Sequence, residues 1–163
     1  MSTSGMIYVH SSPPAVCPHV EWAVASVLQV RADLQWTAQV AAPRQLRADC
    51  DWSGEPGTAA ALVGALRAWP MLRFEVTEEP SPGLDGERFC FVPGLGLWRA
   101  RTSANGDIVV AEDQLRALTT TARDTESFTH QLDRLLGASW DDALEPFRCA
   151  GDGAPVTWLH GVG

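Results

Sequence analysis

Alternation of apolar and polar residues predicts three strands in the first half of the chain. In residues 33–40, 45–52 and 72–78, every second side chain is apolar, and a short turn around Pro43 separates the first two segments. Successive side chains of a strand point to opposite faces, so these strands fit an antiparallel sheet that is covered on one side. The residues that the pattern turns outward are Gln35, Thr37, Gln39, Arg47, Asp49, Asp51, Arg73, Glu75 and Thr77.

Helical periodicity occupies the segments between these strands. Residues 6–10 are rich in strand formers, and Ser12, Pro13 and Pro14 after them are typical of a helix start. Residues 16–30 then place their apolar side chains on one helical stripe. Residues 58–69 predict a second helix that ends before Pro70, because proline interrupts a helix at high cost.

The order strand, helix, strand, strand, helix, strand over residues 6–78 predicts a ferredoxin-like split βαβ unit, an antiparallel sheet with two helices on one face. Residues 87–111 predict a β-meander that turns at Asn105-Gly106 and either extends this sheet or forms a second layer. Residues 112–148 predict helices, the last of them ended by Pro146. The whole chain, residues 1–163, is therefore predicted to form a single α+β domain. Its polar sheet face meets solvent, the C-terminal helices or a second subunit.

Composition argues against several classes of function. The formal net charge is −8, which opposes binding to nucleic acids and to anionic membranes. No apolar run reaches the roughly 20 residues of a membrane-spanning helix, and the first residues lack a signal-peptide pattern, so we expect a cytoplasmic protein. The four cysteines are widely separated, which predicts free thiols and neither a metal site nor a bound cofactor.

The stretch "VHSSPPAVCPHVEW", residues 9–22, contains the candidate catalytic residues His10, Cys17 and His19. If Pro18 is the first helical residue, Cys17 lies at the N-cap, where the helix dipole lowers the pKa of a thiol. His10 then supplies a nearby base. A buried structural cysteine beside a helix-starting turn is the favoured alternative.

Weaker signals lie elsewhere in the chain. Tyr8, Ser11 and Ser12 are candidate ligand-binding residues, because a helix start can receive an anion. Asp141, Asp142 and Glu145 are expected to be solvated residues of a helix cap rather than an acid–base site. "PGLGLW" lacks the third glycine of a dinucleotide-binding loop and predicts a tight turn between strands. The seven tryptophans slightly favour a protein partner.

The stretches "YVHSSPPAVCPHVEWA", "LRFEVTEEPSPGLDGERF" and "LGLWRARTSANGDI" resemble an actinobacterial family known only as domain of unknown function 3145. The resemblance covers most of the chain. It implies a single-domain cytoplasmic protein with no assigned reaction, cofactor or catalytic residue. It also implies a link to fatty-acid metabolism, since similar proteins are often encoded near fatty-acid synthesis genes.

Two functional hypotheses follow. The first is a non-catalytic accessory protein that binds another protein, a second copy of itself or a small ligand. Absent catalytic motifs, surplus tryptophans and a polar sheet face support it. The second is a small enzyme with a pocket formed by Tyr8, His10, Ser12, Cys17 and His19. Rapid alkylation of Cys17 alone would favour the enzyme, and recovery of one defined partner would favour the binding protein.

Overall fold

The structure, a computed structural model, describes residues 1–148. Within that range the chain forms one antiparallel sheet of seven strands and five α-helices. The strands are β1 Thr3–Ser12, β2 Thr37–Ala38, β3 Leu46–Gly54, β4 Arg73–Glu78, β5 Gly86–Val92, β6 Gly96–Thr102 and β7 Ile108–Val109. The helices are α1 Cys17–Leu28, α2 Thr58–Leu66, α3 Glu112–Thr121, α4 Thr125–Leu136 and α5 Ala138–Arg148.

The strand order is β2-β3-β1-β4-β5-β6-β7, with β1 between β3 and β4. Ile7 of β1 is paired with Cys50 on one side and with Val76 on the other. The meander β5–β6–β7 continues the same sheet and does not form a second layer. The glycines of "PGLGLW" make the turn between β5 and β6, where Gly94 and Gly96 have φ of 85° and 80°.

The main apolar core lies between one face of the sheet, here called the first face, and the helices α1 and α2. Ile7, Val9, Phe74 and Val76 face this core, which α1 and α2 complete with Val20, Ala23, Val24, Ala59, Leu62, Val63 and Leu66. Each of these residues is at most 3% exposed. The predicted pair of helices on one apolar face is therefore present.

The opposite side of the sheet, the second face, is also covered, by α5. Leu144 of α5 packs with Cys90, Val92 and Trp98 in a smaller apolar cluster. Glu75 lies on this second face, as the alternation predicts, and is 0% exposed there. The sequence left open whether this face meets solvent, the C-terminal helices or a second subunit. A C-terminal helix lies over Glu75.

The N-terminal half departs from the predicted hairpin at its first strand. Residues 33–40 contain only the two-residue strand β2, because Glu21 of α1 holds the segment before it. The Glu21 Oε1 atom accepts hydrogen bonds from the Leu34 amide, at 3.1 Å, and from the Trp36 indole, at 3.0 Å. Gln39, predicted to face outward, is buried because its side-chain amide donates to the His10 carbonyl at 2.7 Å.

The helices differ from the prediction mainly at their ends. A 3₁₀ turn, Pro14–Val16, precedes α1, and Cys17 is the first residue of α1 rather than its N-cap. Pro146 lies inside α5 and does not end it. The sequence also contains a last apolar run, "VTWLH" at residues 156–160, which includes Trp158. This run and Cys149 lie outside the described residues. None of the described helices is both long and apolar enough to span a membrane.

Candidate functional site

A transverse row of side chains crosses the second face. Pairing between neighbouring strands aligns Asp49 of β3, Tyr8 of β1, Glu75 of β4, Cys90 of β5 and Trp98 of β6. The row exists because strand alternation turns these residues away from the first-face core. Glu75 occupies its centre, under α5.

Glu75 is the acceptor of a buried hydrogen-bond network. Its Oε2 atom lies 2.6 Å from His10 Nε2 and accepts from Arg148 Nε at 3.1 Å. Its Oε1 atom accepts from the Cys90 thiol at 3.0 Å and from Arg88 at 3.4 Å. A buried carboxylate needs such donors because its loss of hydration is otherwise uncompensated. Four side chains from β1, β5 and α5 therefore converge on one residue of β4.

Asp141 of α5 completes the network from above the sheet. Its Oδ1 atom accepts from Arg88 and from Arg148, each at 2.9 Å. We call these six residues the Glu75 cluster: His10, Glu75, Arg88, Cys90, Asp141 and Arg148. Asp141 lies in the first turn of α5, as the sequence predicts, but its side chain also forms an ion pair with the sheet.

The network shifts the titration of its members. Burial by itself raises the pKa of Glu75, but hydrogen bonds from His10 and Arg148 outweigh it and lower this pKa to about 2. Burial, reinforced by the Glu75 charge, raises the pKa of the Cys90 thiol well above its usual value. Burial and the charge of Asp49 raise the pKa of Tyr8 to about 12. Glu75 is thus held ionised, whereas Cys90 and Tyr8 are held protonated.

His10 has the geometry of a carboxylate-oriented imidazole. One ring nitrogen faces Glu75, its ring stacks on Tyr8 with centroids 6.1 Å apart, and Nδ1 is buried without a hydrogen-bond partner. An imidazole held in this way can act as a general base in a catalytic site. Here His10 is 1% exposed and Glu75 0% exposed, so a substrate would reach them only after α5 moved.

The structure does not bring the other predicted catalytic residues to His10. The Cys17 thiol lies 3.6 Å from the Ser12 hydroxyl and 3.5 Å from the Pro13 carbonyl. Burial raises the pKa of Cys17, the opposite of what a reactive thiolate requires. His19 is exposed on α1 and stacks on Trp69, with ring centroids 5.8 Å apart.

The predicted ligand-binding residues are all buried. Ser11 and Ser12 are 0% exposed, and Tyr8 is 5% exposed. The Ser11 hydroxyl accepts from Arg73 at 3.3 Å, and the Ser12 hydroxyl donates to the Pro13 carbonyl at 3.0 Å. Ser11 and Ser12 are the last two residues of β1, and their hydroxyls bind the neighbouring strand β4 and the turn before α1. In residues 1–148, no group of three or more His, Cys, Asp or Glu side chains is placed to hold a metal ion.

The contribution of β5 to the Glu75 cluster can be predicted from the sequence. Alternation in residues 86–92 places Arg88 and Cys90 on one face of β5, and the pairing of β4 with β5 aligns that face with Glu75. In this register Glu75 is opposite Cys90 and Arg88 is its diagonal neighbour, which is close enough for a long side chain to form a cross-strand ion pair. The contribution of Asp141 and Arg148 has no such local signal, because it depends on where α5 returns to the sheet.

A groove of about 700 Å³ lies beside the outer edge of β6, near the end of the sheet that is opposite β2. We call it the β6 groove. Residues of β6, β7, α3 and α4 line it, among them Arg99, Ala100, Arg101, Val109, Arg134 and Leu135. Asp113 lines the groove too, and Glu87 and Asp85 form ion pairs with Arg99 and Arg101, so Arg134 is the one lining arginine without an ion-pair partner in residues 1–148.

Fold and site together define an α+β protein in which one long antiparallel sheet carries a buried ion-pair cluster under its last described helix and an open, arginine-lined groove at its edge. The family described as protein of unknown function, DUF3145, matches residues 6–161, and the chain belongs to that family. No curated protein and no solved structure matches the chain.

Proposed function

We propose that this chain is a non-catalytic binding protein and that the β6 groove receives its partner or ligand. The observation that carries the proposal is the groove itself, which is open, sizeable and lined by Arg99, Arg101 and Arg134. Concave sites of several hundred Å³ with a few convergent polar groups are the usual places for ligands. Arginine is also enriched at protein interfaces. The link to fatty-acid metabolism and the accessory role belong to this same proposal.

The Glu75 cluster supports the proposal by its closure. Its acid, base and thiol groups are used to bind one another, and Glu75, Cys90 and Arg148 are at most 4% exposed. Groups that act on a substrate must reach it within hydrogen-bond distance. The same residues attach α5 to the sheet, which is a structural role.

Affinity purification from cells that naturally express the chain tests the proposed function. Wild type, Arg134→Glu and the matched control Arg123→Glu are used as baits. Arg134 and Arg123 are both exposed, but only Arg134 lines the groove. We expect wild type and Arg123→Glu to retain the same partner or ligand and Arg134→Glu to lose it. Equal recovery by all three baits, or recovery by none, would contradict the proposal.

A small enzyme is the second candidate, and the Glu75-oriented imidazole of His10 is the observation that favours it. Alkylation with iodoacetamide at neutral pH, followed by mass spectrometry of each cysteine peptide, separates the candidates. The binding protein predicts slow modification of Cys17, because the thiol is 5% exposed and burial raises its pKa. Fast, stoichiometric modification of Cys17 while Cys50 and Cys90 stay unmodified would favour the enzyme.

We also propose that residues 3–78 be classified as a ferredoxin-like unit. Support comes from the order β2-β3-β1-β4 within the antiparallel sheet and from the position of α1 and α2 in the chain, between β1 and β2 and between β3 and β4. An experimental structure with β2 next to β1 would contradict this classification.

A further inference from the structure

The two edges of β6 are paired very differently. On its inner edge, β5 is paired with β6 along the whole strand, from Gly96 to Thr102. On its outer edge, β7 is paired only with Arg101 and Thr102. Within residues 1–148, the outer edge of residues 97–100 therefore has no strand beside it. The chain turns away after Val109 and enters α3.

The β6 groove runs along this unpaired edge. Ala100 and Arg101 line it from the strand, and Arg134 and Leu135 line it from the last turn of α4. An added strand lies about 4.8 Å from its neighbour, and its backbone pairs with the amide and carbonyl groups of the open edge. A groove of about 700 Å³ at that edge is a suitable place for a short extended segment.

The groove also has a preferred charge. Arg99 and Arg101 are 60% and 70% exposed at their side chains, and Arg134 has no ion-pair partner in the part of the chain that the structure describes. Glu87 and Asp85 pair with the two β6 arginines at the rim. A second copy of this chain would bring arginines against arginines at this edge. An acidic segment would be attracted to the same positions.

We propose that the β6 groove binds an extended acidic segment of a partner protein, which adds to the sheet as a strand beside β6. The inference deepens the proposed function and rests on it. Backbone hydrogen bonds to residues 97–100 supply affinity, as in other cases of strand addition. Carboxylates on one face of the segment meet Arg99 and Arg101, on the same face as Val109, which is paired with Arg101 and is 39% exposed. Arg134 and Leu135 line the groove from α4.

Selection from a library of random ten-residue peptides displayed on phage, with the full chain as target, tests the inference. We expect enrichment of peptides with Asp or Glu at every second position. Each enriched peptide is then synthesised in two forms, N-methylated at its odd or at its even backbone amides. Only alternate amides of an added strand face its neighbour. One form should therefore bind at least tenfold more weakly and the other should bind like the parent.

Protein variants provide the second readout. Arg134→Glu should weaken the parent peptide at least tenfold, whereas Arg123→Glu, the matched charge reversal outside the groove, should leave its affinity unchanged. Circular dichroism and thermal melting of both variants confirm that each is folded. Equal binding of the two N-methylated forms, or equal binding to wild type and Arg134→Glu, would overturn strand addition.

The outcomes also separate this inference from the proposed function. If the selection enriches no peptide while affinity purification still depends on Arg134, the groove binds something other than an extended acidic segment, and only the further inference fails. If neither experiment depends on Arg134, the proposed function fails as well.

Discussion

The two faces of the sheet attach their helices in different ways. Phe74 and Glu75 are adjacent in β4 and both are 0% exposed, yet Phe74 faces apolar side chains of α1 and α2, and Glu75 faces charged side chains of α5. Apolar burial is non-directional and scales with area. A buried ion-pair cluster is directional, and its contribution depends on every charge keeping its partner.

The difference shows what each face can specify. The first face contributes the larger share of stability, because it contains most of the buried apolar side chains. The second face determines where α5 lies, since Arg148 of α5 must meet Glu75 and Asp141 of α5 must meet Arg88. The following four predictions test this division of roles, from the largest expected effect to the smallest.

Phe74→Ala should have the largest effect. Truncating a fully buried phenylalanine leaves a cavity in the first-face core and should lower the free energy of unfolding by about 4 kcal/mol. Val40→Ala is the control, because Val40 is 73% exposed and its truncation should change the free energy by less than about 0.5 kcal/mol. Urea denaturation measures both. A loss below about 1 kcal/mol for Phe74→Ala would contradict the assignment of the main core.

Glu75→Gln should lower the free energy of unfolding by about 3 kcal/mol, because it removes the negative charge and one of the two acceptor oxygens that bind the buried Arg148 and the half-buried Arg88. Glu79→Gln makes the same change in charge at an exposed position and should be nearly neutral. The double variant Glu75→Gln/Arg148→Met should be less destabilised than the two single variants together, as expected for a coupled pair. Strictly additive losses in urea denaturation would show that the cluster does not act as a unit.

The pH dependence of stability should identify Glu75 as a group with a lowered pKa. Its folded-state pKa of about 2 lies below the ordinary value of 4.5, so its stabilisation is present above pH 4.5 and is lost as the pH falls from 4.5 toward 2. The stability difference between wild type and Glu75→Gln should shrink over that window by up to about 3 kcal/mol. Denaturation curves at a series of pH values measure it. A difference that stays constant from pH 5 to pH 2 would contradict the lowered pKa.

Two glycines should respond in opposite directions to substitution by alanine. Gly137, between α4 and α5, has φ of 77°, and an added Cβ would lie 2.6 Å from the Trp98 ring, so Gly137→Ala should destabilise by about 1–2 kcal/mol. Gly64 lies in α2 with open space around it, so Gly64→Ala should stabilise by about 0.5–1 kcal/mol. Thermal melting distinguishes the signs. Equal shifts for both variants would mean that Trp98 does not pack on Gly137.

Local patterns were sufficient for most of the first face. Alternation in β3 and β4 correctly separates inward from opposite-facing residues, since strand geometry alone determines that periodicity. The same alternation cannot say whether the opposite face meets solvent, the C-terminal helices or a second subunit, so the burial of Glu75 could not be predicted. Its burial depends on Asp141 and Arg148, which follow it by more than sixty positions in the chain.

The candidate site was harder to predict than the fold for a related reason. Cys17 and His19 attract attention because they lie close together in sequence, but they lie on α1 with different neighbours. The row from Asp49 to Trp98 has no pair of sequence neighbours and appears only when strand register is known. The β6 groove likewise exists because β7 pairs with β6 at only two positions. No residue pattern in Ile108–Val109 predicts that this strand is so short.

β1 lies inside the sheet, between β3 and β4, and this position has a consequence for how the protein folds during synthesis. During translation β1 leaves the ribosome before either neighbour, and Ile7 gains both Cys50 and Val76 as partners only after β4 has been synthesised. Pairing of this kind requires closure of long loops, which slows folding to the range of milliseconds to seconds. A nascent chain that ends before β4 therefore contains β1 without one of its two native neighbours, and that strand edge can pair with other chains.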